Sequence, residues 1–73
     1  MLTAINMKKF RFGENSNYEY KGFGIFDSDA NAFLASKNGN VVIYDKKKNA
    51  QYAIDAQIEI AFPYRKAATS IIA

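Results

Sequence analysis

Side chains suited to binding an anionic partner form three basic clusters: Lys8–Lys9–Arg11, Lys46–Lys48 and Arg65–Lys66. Lysine and arginine contact phosphate or carboxylate oxygens, and an exposed tyrosine beside them supplies a ring on which a base can stack. Three successive lysines are also typical of a solvated hairpin tip, where they keep a protein soluble and blunt its sheet edges. The sequence favours this second interpretation and leaves the first open.

Large aromatic and aliphatic side chains fall on both faces of the segment that follows the first basic cluster. Tyr18 and Tyr20 share a parity with Phe26, whereas Phe23 and Ile25 share the other. Either one face stays exposed as a binding patch, or the strand is twisted so that both faces are covered. The predicted partner-binding residues combine tyrosines with neighbouring basic residues. They are Tyr18, Tyr20, Lys21, Tyr44, Lys46, Lys47, Lys48, Tyr64, Arg65 and Lys66.

Catalytic and metal-binding chemistry finds little support in the residue types. The chain contains neither cysteine nor histidine, which removes the usual metal ligands, the usual general base near neutral pH and the commonest activated nucleophile. Asp27 to Asn31 resembles the opening of a calcium-binding loop. The sixth and twelfth positions of such a loop require glycine and glutamate, but Ala32 and Asn38 stand there. We therefore predict no enzyme, no metal, no cofactor and no small-molecule substrate.

Lys21–Gly24 matches the first half of the RNP1 pattern, whose aromatic residues stack on RNA bases. The second half departs from it, since Ile25 takes the place of the second stacking aromatic residue. Too few residues precede the motif for the strand and helix that such a domain needs there. The alternative is a glycine-bent strand, in which Gly22 and Gly24 mark a bend or a close backbone approach.

The composition predicts one small folded domain over residues 1–73. Apolar residues make up 49% of the 73 residues and aromatic residues 15%, enough for a core. The net charge of +3 favours an acidic protein surface or nucleic acid as partner. No run approaches the roughly 20 apolar residues of a membrane span, and the start lacks a signal-peptide pattern. We expect no membrane association and a cytoplasmic location.

The first half of the chain predicts two strands and a helix. Residues 2–12 form a strand whose buried face switches near Lys8–Lys9, which a bulge would explain. Residues 13–17 form a turn, and Tyr18–Phe26 a second strand. A helix is predicted over about 29–37, with Asp27 or Ser28 as its cap and Gly39 after its end. The competing interpretation is a hairpin in which Asn38–Gly39 joins residues 33–37 to 41–45.

The second half predicts a hairpin with a basic tip. Val41–Asp45 forms a strand, and every even position of Ala50–Phe62 is apolar, which is typical of a strand with one buried face. Pro63 ends that run. Residues 67–73 would add a short edge strand or dock on the core. Together these elements define an α+β fold: a small antiparallel sheet of 4–5 strands with one short helix packed on one face, in the order β-β-α-β-β(-β).

The long strand also predicts self-association. Residues 50–54 can pair with residues 41–45, which leaves residues 55–62 to pair with the first strand, the tail or a second subunit. Either the strand bends at Ala53 or Ala56, or the overhang pairs with a second copy to form a homodimer.

We expect a non-enzymatic binding module that occludes or bridges a macromolecular partner, as inhibitors and accessory proteins of viruses and mobile elements do. The alternative is sequence-tolerant binding of RNA or single-stranded DNA through the same tyrosines and lysines.

Overall fold

The computed structural model describes residues 1–13 and 19–71. Its strands are β1 (Leu2–Asn6), β2 (Phe10–Arg11), β3 (Phe23–Asp27), β4 (Ala32–Ala35), β5 (Tyr64–Lys66) and β6 (Ser70–Ile71). Helix α1 (Lys47–Asp55) lies between β4 and β5, and short 3-10 helices span Met7–Lys9 and Ile58–Ile60. The predicted α+β class is confirmed: one helix packs on an antiparallel sheet, and the order of the strands is broadly as expected.

The main sheet is antiparallel, with the order β1-β3-β4-β5, and β2 pairs with β6 in a separate two-stranded sheet. β3 and β4 pair directly only next to their connecting turn, at Phe26–Phe33 and Asp27–Ala32. Farther from the turn, residues 41–44 bridge both strands, at Phe23–Tyr44 and Ala35–Val41. This segment therefore acts as a wedge between the diverging ends of β3 and β4.

Apolar side chains cover both faces of the main sheet, because successive residues of a strand point to opposite sides. One cluster lies under α1: Leu2, Ala4, Phe23, Ile25, Leu34, Tyr44, Ala50, Ala53, Ile54, Ile58 and Phe62. The other cluster contains Ile5, Met7, Phe10, Phe12, Tyr20, Phe26, Phe33, Val41, Ile43 and Ala68. Both faces of the predicted second strand are therefore covered over its described part, as one of the two alternatives had it.

Close backbone approach explains the two glycines of the RNP1-like stretch. Gly22 has a φ of +154°, and a Cβ there would collide with the carbonyl oxygen of Tyr44 and lie 2.7 Å from Cγ2 of Ile43. A Cβ on Gly24 would lie 2.5 Å from Sδ of Met7, which is fully buried. The sequence-based prediction of close contacts at these positions is confirmed.

The predicted helix over 29–37 is wrong, and the hairpin alternative describes this segment better. Asp27 Oδ1 accepts hydrogen bonds from the backbone N–H groups of Asp29 and Ala30, at 3.0 and 3.4 Å. Asn31 then adopts a left-handed conformation, with a φ of 52°. The capping bonds expected from Asp27 thus form, but they close a tight turn between β3 and β4.

The second arm of the hairpin alternative, residues 41–45, is right only in part, because it meets β4 at the isolated bridge Ala35–Val41 and forms no regular strand. The N–H of Gly39 donates to the carbonyl of Ser36 at 2.9 Å, and the N–H of Val42 donates to the carbonyl of Leu34 at 3.1 Å. Gly39 has a φ of +85°, which glycine adopts without strain.

The predicted strand over Ala50–Phe62 is wrong. Residues 47–55 form α1, whose buried stripe consists of Ala50 and Ala53 with half-buried Ile54 beside them. This i, i+3, i+4 spacing is the helical one. The alternation was misleading because Tyr52 and Ile60, which it assigned to the core, are 77% and 78% exposed.

The strand edge on which the expected homodimer through residues 50–62 depended is absent, because residues 47–55 form α1 and residues 58–60 form a 3-10 helix. A helix satisfies its own backbone hydrogen bonds and offers no strand edge to a second copy. The bends proposed at Ala53 or Ala56 are likewise unnecessary.

Other boundaries differ in detail. The face switch near Lys8–Lys9 is produced by the first 3-10 helix, not by a bulge. The second strand begins at Phe23, and the turn predicted over 13–17 lies, apart from Gly13, outside the described residues. Residues 41–45 form two isolated bridges in place of a regular strand. The tail contributes β6 and packs Ala68 on the core, as predicted.

Candidate macromolecule-binding surface

Three predicted lysines meet at the amino-terminal end of α1. Lys46 is its N-cap and makes no side-chain capping bond, and Lys47 and Lys48 occupy the first turn, which contains no acidic residue. All three side chains are exposed. Because the helix dipole places partial positive charge at this end, the lysines raise an already positive local potential. The geometry favours contact with a negatively charged group.

The exposed face of α1 continues this basic surface with an aromatic residue. Tyr52 lies one turn after Lys48, and residues four apart are neighbours on a helix. Its ring is 77% exposed. Gln51 and Asp55 lie on the same outer face and are joined by a hydrogen bond of 3.1 Å from Nε2 to Oδ1. We define the α1 surface as Lys46, Lys47, Lys48, Gln51 and Tyr52.

Sequence reasoning missed Tyr52 because the alternating pattern assigned its ring to the core. The helical spacing of Ala50, Ala53 and Ile54 was the signal that could have placed it outside. With those three residues facing the sheet, Tyr52 necessarily faces solvent.

The predicted tyrosines do not form one patch. Tyr20 packs against the cluster that contains Met7 and meets Phe12 edge to face, with ring centroids 5.5 Å apart. Tyr44 is half-buried in the opposite cluster, under α1. Burial raises the pKa of the Tyr44 hydroxyl above its ordinary value, because desolvation disfavours the phenolate. Tyr18 lies outside the described residues.

Lys21 lies apart from the α1 surface. It is exposed and lines an open pocket of about 750 Å³ together with Tyr20 and Ile43. Glu19 and Asn40 complete the polar part of this lining. The pocket therefore carries charges of both signs, unlike the amino-terminal end of α1.

Arg65 is committed to holding the fold together. Its Nε donates to Oδ2 of Asp27 at 2.8 Å, its Nη2 lies 3.6 Å from Glu59, and its Nη1 donates to the carbonyls of Phe62 and Tyr64. The hydrogen bond from Arg65, together with those from two backbone N–H groups, holds the pKa of Asp27 below its ordinary value. Because its Nε, Nη1 and Nη2 atoms already contact other groups of the chain, the guanidinium has few free N–H groups for a partner.

The remaining predicted residues lie on β5, at the edge of the main sheet. Tyr64 is 48% exposed, and Lys66, two residues on, points to the same face and is half-buried. Of the predicted residues that the structure describes, Lys46–Lys48 thus form one cluster on a common surface. Sequence alone indicated that cluster but placed it at a hairpin tip.

Two further properties are shown by the described residues. No group of three or more histidine, cysteine, aspartate or glutamate side chains in residues 1–13 and 19–71 could hold a metal ion. In the same ranges no helix has the length and apolar character needed to cross a membrane.

Comparison with known proteins reveals no relative: no family model, no curated protein and no solved structure matches this chain.

Proposed function

We propose that the protein is a small non-enzymatic binding module that covers an acidic site on a macromolecular partner with its α1 surface. Lys46, Lys47 and Lys48 supply the charge complementarity, and Tyr52 supplies an aromatic anchor. Charge complementarity speeds association and sets orientation, while a buried tyrosine contributes most of the contact energy. The working groups of the partner are then occluded by the body of the domain.

The observation that carries the proposal is the unfavourable charge placement on α1. Basic residues occupy its amino-terminal turn, Asp55 occupies its last turn, and its N-cap makes no side-chain bond. Each charge set against the dipole costs about 0.3–1 kcal/mol at low ionic strength. Sequences that break such a local rule commonly do so where function requires it. An anion bound by the lysines would relieve the repulsion at that end.

An acidic protein surface fits this arrangement better than a nucleic-acid strand does. Single-stranded nucleic acid is held by successive aromatic rings that follow a basic groove. Here Tyr20 and Tyr44 lie on opposite faces of the sheet, and each is packed against a core cluster. Tyr52 alone stands beside the lysines of α1.

Nucleic acid remains the second candidate because of the pair formed by Lys48 and Tyr52. A cation and an exposed ring one helical turn apart can hold one phosphate and stack one base. A single such step predicts weak, sequence-tolerant binding.

The two candidates are separated by titrating two ligands into the protein: an aspartate- and glutamate-rich peptide and a labelled oligo-dT strand, each at low and moderate salt. We expect the peptide to bind and the oligonucleotide to bind more weakly. Lys47→Glu/Lys48→Glu should abolish peptide binding. The matched control is Lys9→Glu/Lys37→Glu, which changes the net charge equally at other exposed lysines.

Equal losses in the two double variants would show a net-charge effect and overturn the α1 surface as the site. Tight oligonucleotide binding that weakens steeply with salt would overturn the protein-partner proposal in favour of nucleic acid. Circular dichroism of each variant establishes that the fold is retained.

A further inference from the structure

The outer edge of β1 carries backbone groups that the main sheet does not use. The N–H of Ser28 donates to the carbonyl of Met1, and the N–H of Met7 donates to the carbonyl of Gly22, both at 3.0 Å. Directly bonded pairs alternate along an antiparallel ladder. Thr3 and Ile5 therefore exchange hydrogen bonds with β3.

It follows that Leu2, Ala4 and Asn6 direct their N–H groups away from β3. In residues 1–13 and 19–71, no backbone hydrogen bond from outside the ladder reaches Leu2 or Ala4. β1 ends the main sheet on this side. Its outward groups form a template for one more strand.

The two edges of the sheet differ in their protection. At β5, Pro63 precedes the strand, and Arg65 Nη1 already occupies the carbonyls of Phe62 and Tyr64. β1 contains no proline, no charged residue and no bulge between Leu2 and Asn6. Natural sheets usually guard their edges with such devices, so the unguarded β1 edge is suited to pairing.

We propose that β1 pairs with β1 of a second copy of this chain, antiparallel and about a twofold axis at Ala4. Each Ala4 then faces Ala4 of the other copy, and Leu2 faces Asn6. The small side chain at the axis allows close approach, and the two main sheets join into one. The contact is isologous, so it closes as a dimer.

Charge complementarity at the ends of β1 favours this occupant and this direction. Asp29, 89% exposed, lies beside the start of β1, where its Oδ2 pairs with the ammonium of Met1 at 2.9 Å. Lys8, also exposed, follows the end of β1. Antiparallel pairing brings Lys8 of each copy towards Asp29 of the other, twice per dimer, so that each carboxylate is shared between Met1 of its own chain and Lys8 of the other. Parallel pairing would instead bring the two Lys8 side chains together.

Amide exchange at two protein concentrations provides the direct test, because it distinguishes alternate residues of one strand. We expect the N–H groups of Leu2, Ala4 and Asn6 to exchange fast in dilute solution and to become protected in concentrated solution. Those of Thr3 and Ile5 should be protected at both concentrations. Light scattering on the same samples should show conversion from monomer to dimer.

Charge variants then test the direction of pairing. Lys8→Glu or Asp29→Lys should each weaken the dimer by roughly 2-fold to 30-fold, the range expected for two exposed ion pairs. The double swap should restore its affinity. Lys37→Glu, at an exposed turn, is the matched control and should leave dimerisation unchanged.

A strict monomer at millimolar concentration would overturn the proposal. So would a dimer that is insensitive to Lys8→Glu, or a double swap that fails to restore affinity. If the outward amides become protected only when an unrelated extended peptide is added, the edge binds peptides and the second copy is rejected as its occupant.

Discussion

Asp27 joins segments that lie far apart along the chain. Its Oδ1 closes the turn after β3, and its Oδ2 accepts from Nε of Arg65 on β5. β4 lies between these strands, and Ala32 stands directly opposite Asp27. Alanine at that position leaves room for the arginine to reach across. One carboxylate therefore ties the hairpin turn to the far edge of the sheet.

Replacing Asp27 with asparagine should lower stability by about 1–3 kcal/mol at neutral pH, since hydrogen bonds to charged groups contribute that much. The pKa of Asp27 is depressed below its ordinary value of 3.8. Its contribution is therefore complete above pH 3.8 and is lost as the pH falls through the lower, folded-state pKa.

Thermal unfolding of the wild type and Asp27→Asn between pH 7 and pH 2 measures this effect. The difference between the two melting temperatures should be constant near pH 7 and should become smaller below pH 3.8. Glu19→Gln, at an exposed position away from α1, is the control and should have little effect. A difference that does not change with pH would contradict the role assigned to the carboxylate.

At the scale of elements, an aspartate such as Asp27 can begin a helix or close a turn with the same hydrogen bonds. Asp27 has the sequence position of a helix cap, and its hydrogen bonds to the next backbone amides form as a cap would form them. Such bonds are local and serve turns as well as helices. What decides between the two lies far along the chain: β4 gains β5 as a partner through Leu34–Arg65 and its neighbours. A single-sequence pattern contains no trace of that pairing.

α1 was missed for the opposite reason, because the usual helix signals are absent. Its first turn has lysines where acidic residues are favoured, and its last turn contains no basic residue. The apolar alternation of Tyr52, Ile54 and Ala56 imitated a strand. The basic cluster itself was predictable from composition, whereas its helical setting was indicated only by the i, i+3, i+4 spacing of Ala50, Ala53 and Ile54.

Lys47→Glu/Lys48→Glu should therefore stabilise the protein while removing the charge of the α1 surface. Reversing two charges near the helix amino terminus removes two unfavourable charges and adds two favourable ones, so it is expected to add about 1.2–4 kcal/mol to the free energy of unfolding at low salt. Urea unfolding at two ionic strengths measures the gain, which should shrink in high salt because exposed charges are screened. A loss of stability would show that the lysines are part of the fold and would remove the main support for the proposed site.

At the scale of the whole molecule, the main sheet separates two small apolar clusters. Neither cluster can lose a large side chain without a marked fall in the free energy of unfolding. For 73 residues, a total stability of about 4–11 kcal/mol is typical. The α+β class is as predicted, although the helix lies at Lys47–Asp55 and not at residues 29–37. Which segment covers which face was not predictable, since both faces of β3 carry large apolar side chains.

Phe33 should be the most sensitive position on the face opposite α1. It is 1% exposed and meets Phe10, Phe12 and Phe26 edge to face, at centroid distances of 4.9, 5.6 and 5.1 Å. Such contacts are worth about 0.5–1.5 kcal/mol each beyond the area that they bury. Phe33→Leu keeps an apolar side chain of lower volume but removes all three, so we expect a loss of about 1.5–4.5 kcal/mol.

In a domain of this size, each kcal/mol corresponds to a fall of about 4–8 °C in the melting temperature, which calorimetry resolves easily. The matched control is Ile60→Ala, because Ile60 is 78% exposed and surface substitutions usually change stability by less than about 0.5 kcal/mol. If Ile60→Ala were as damaging as Phe33→Leu, the assignment of Ile60 to the surface would be wrong. The alternating pattern, which placed Ile60 in the core, would then have been the better guide.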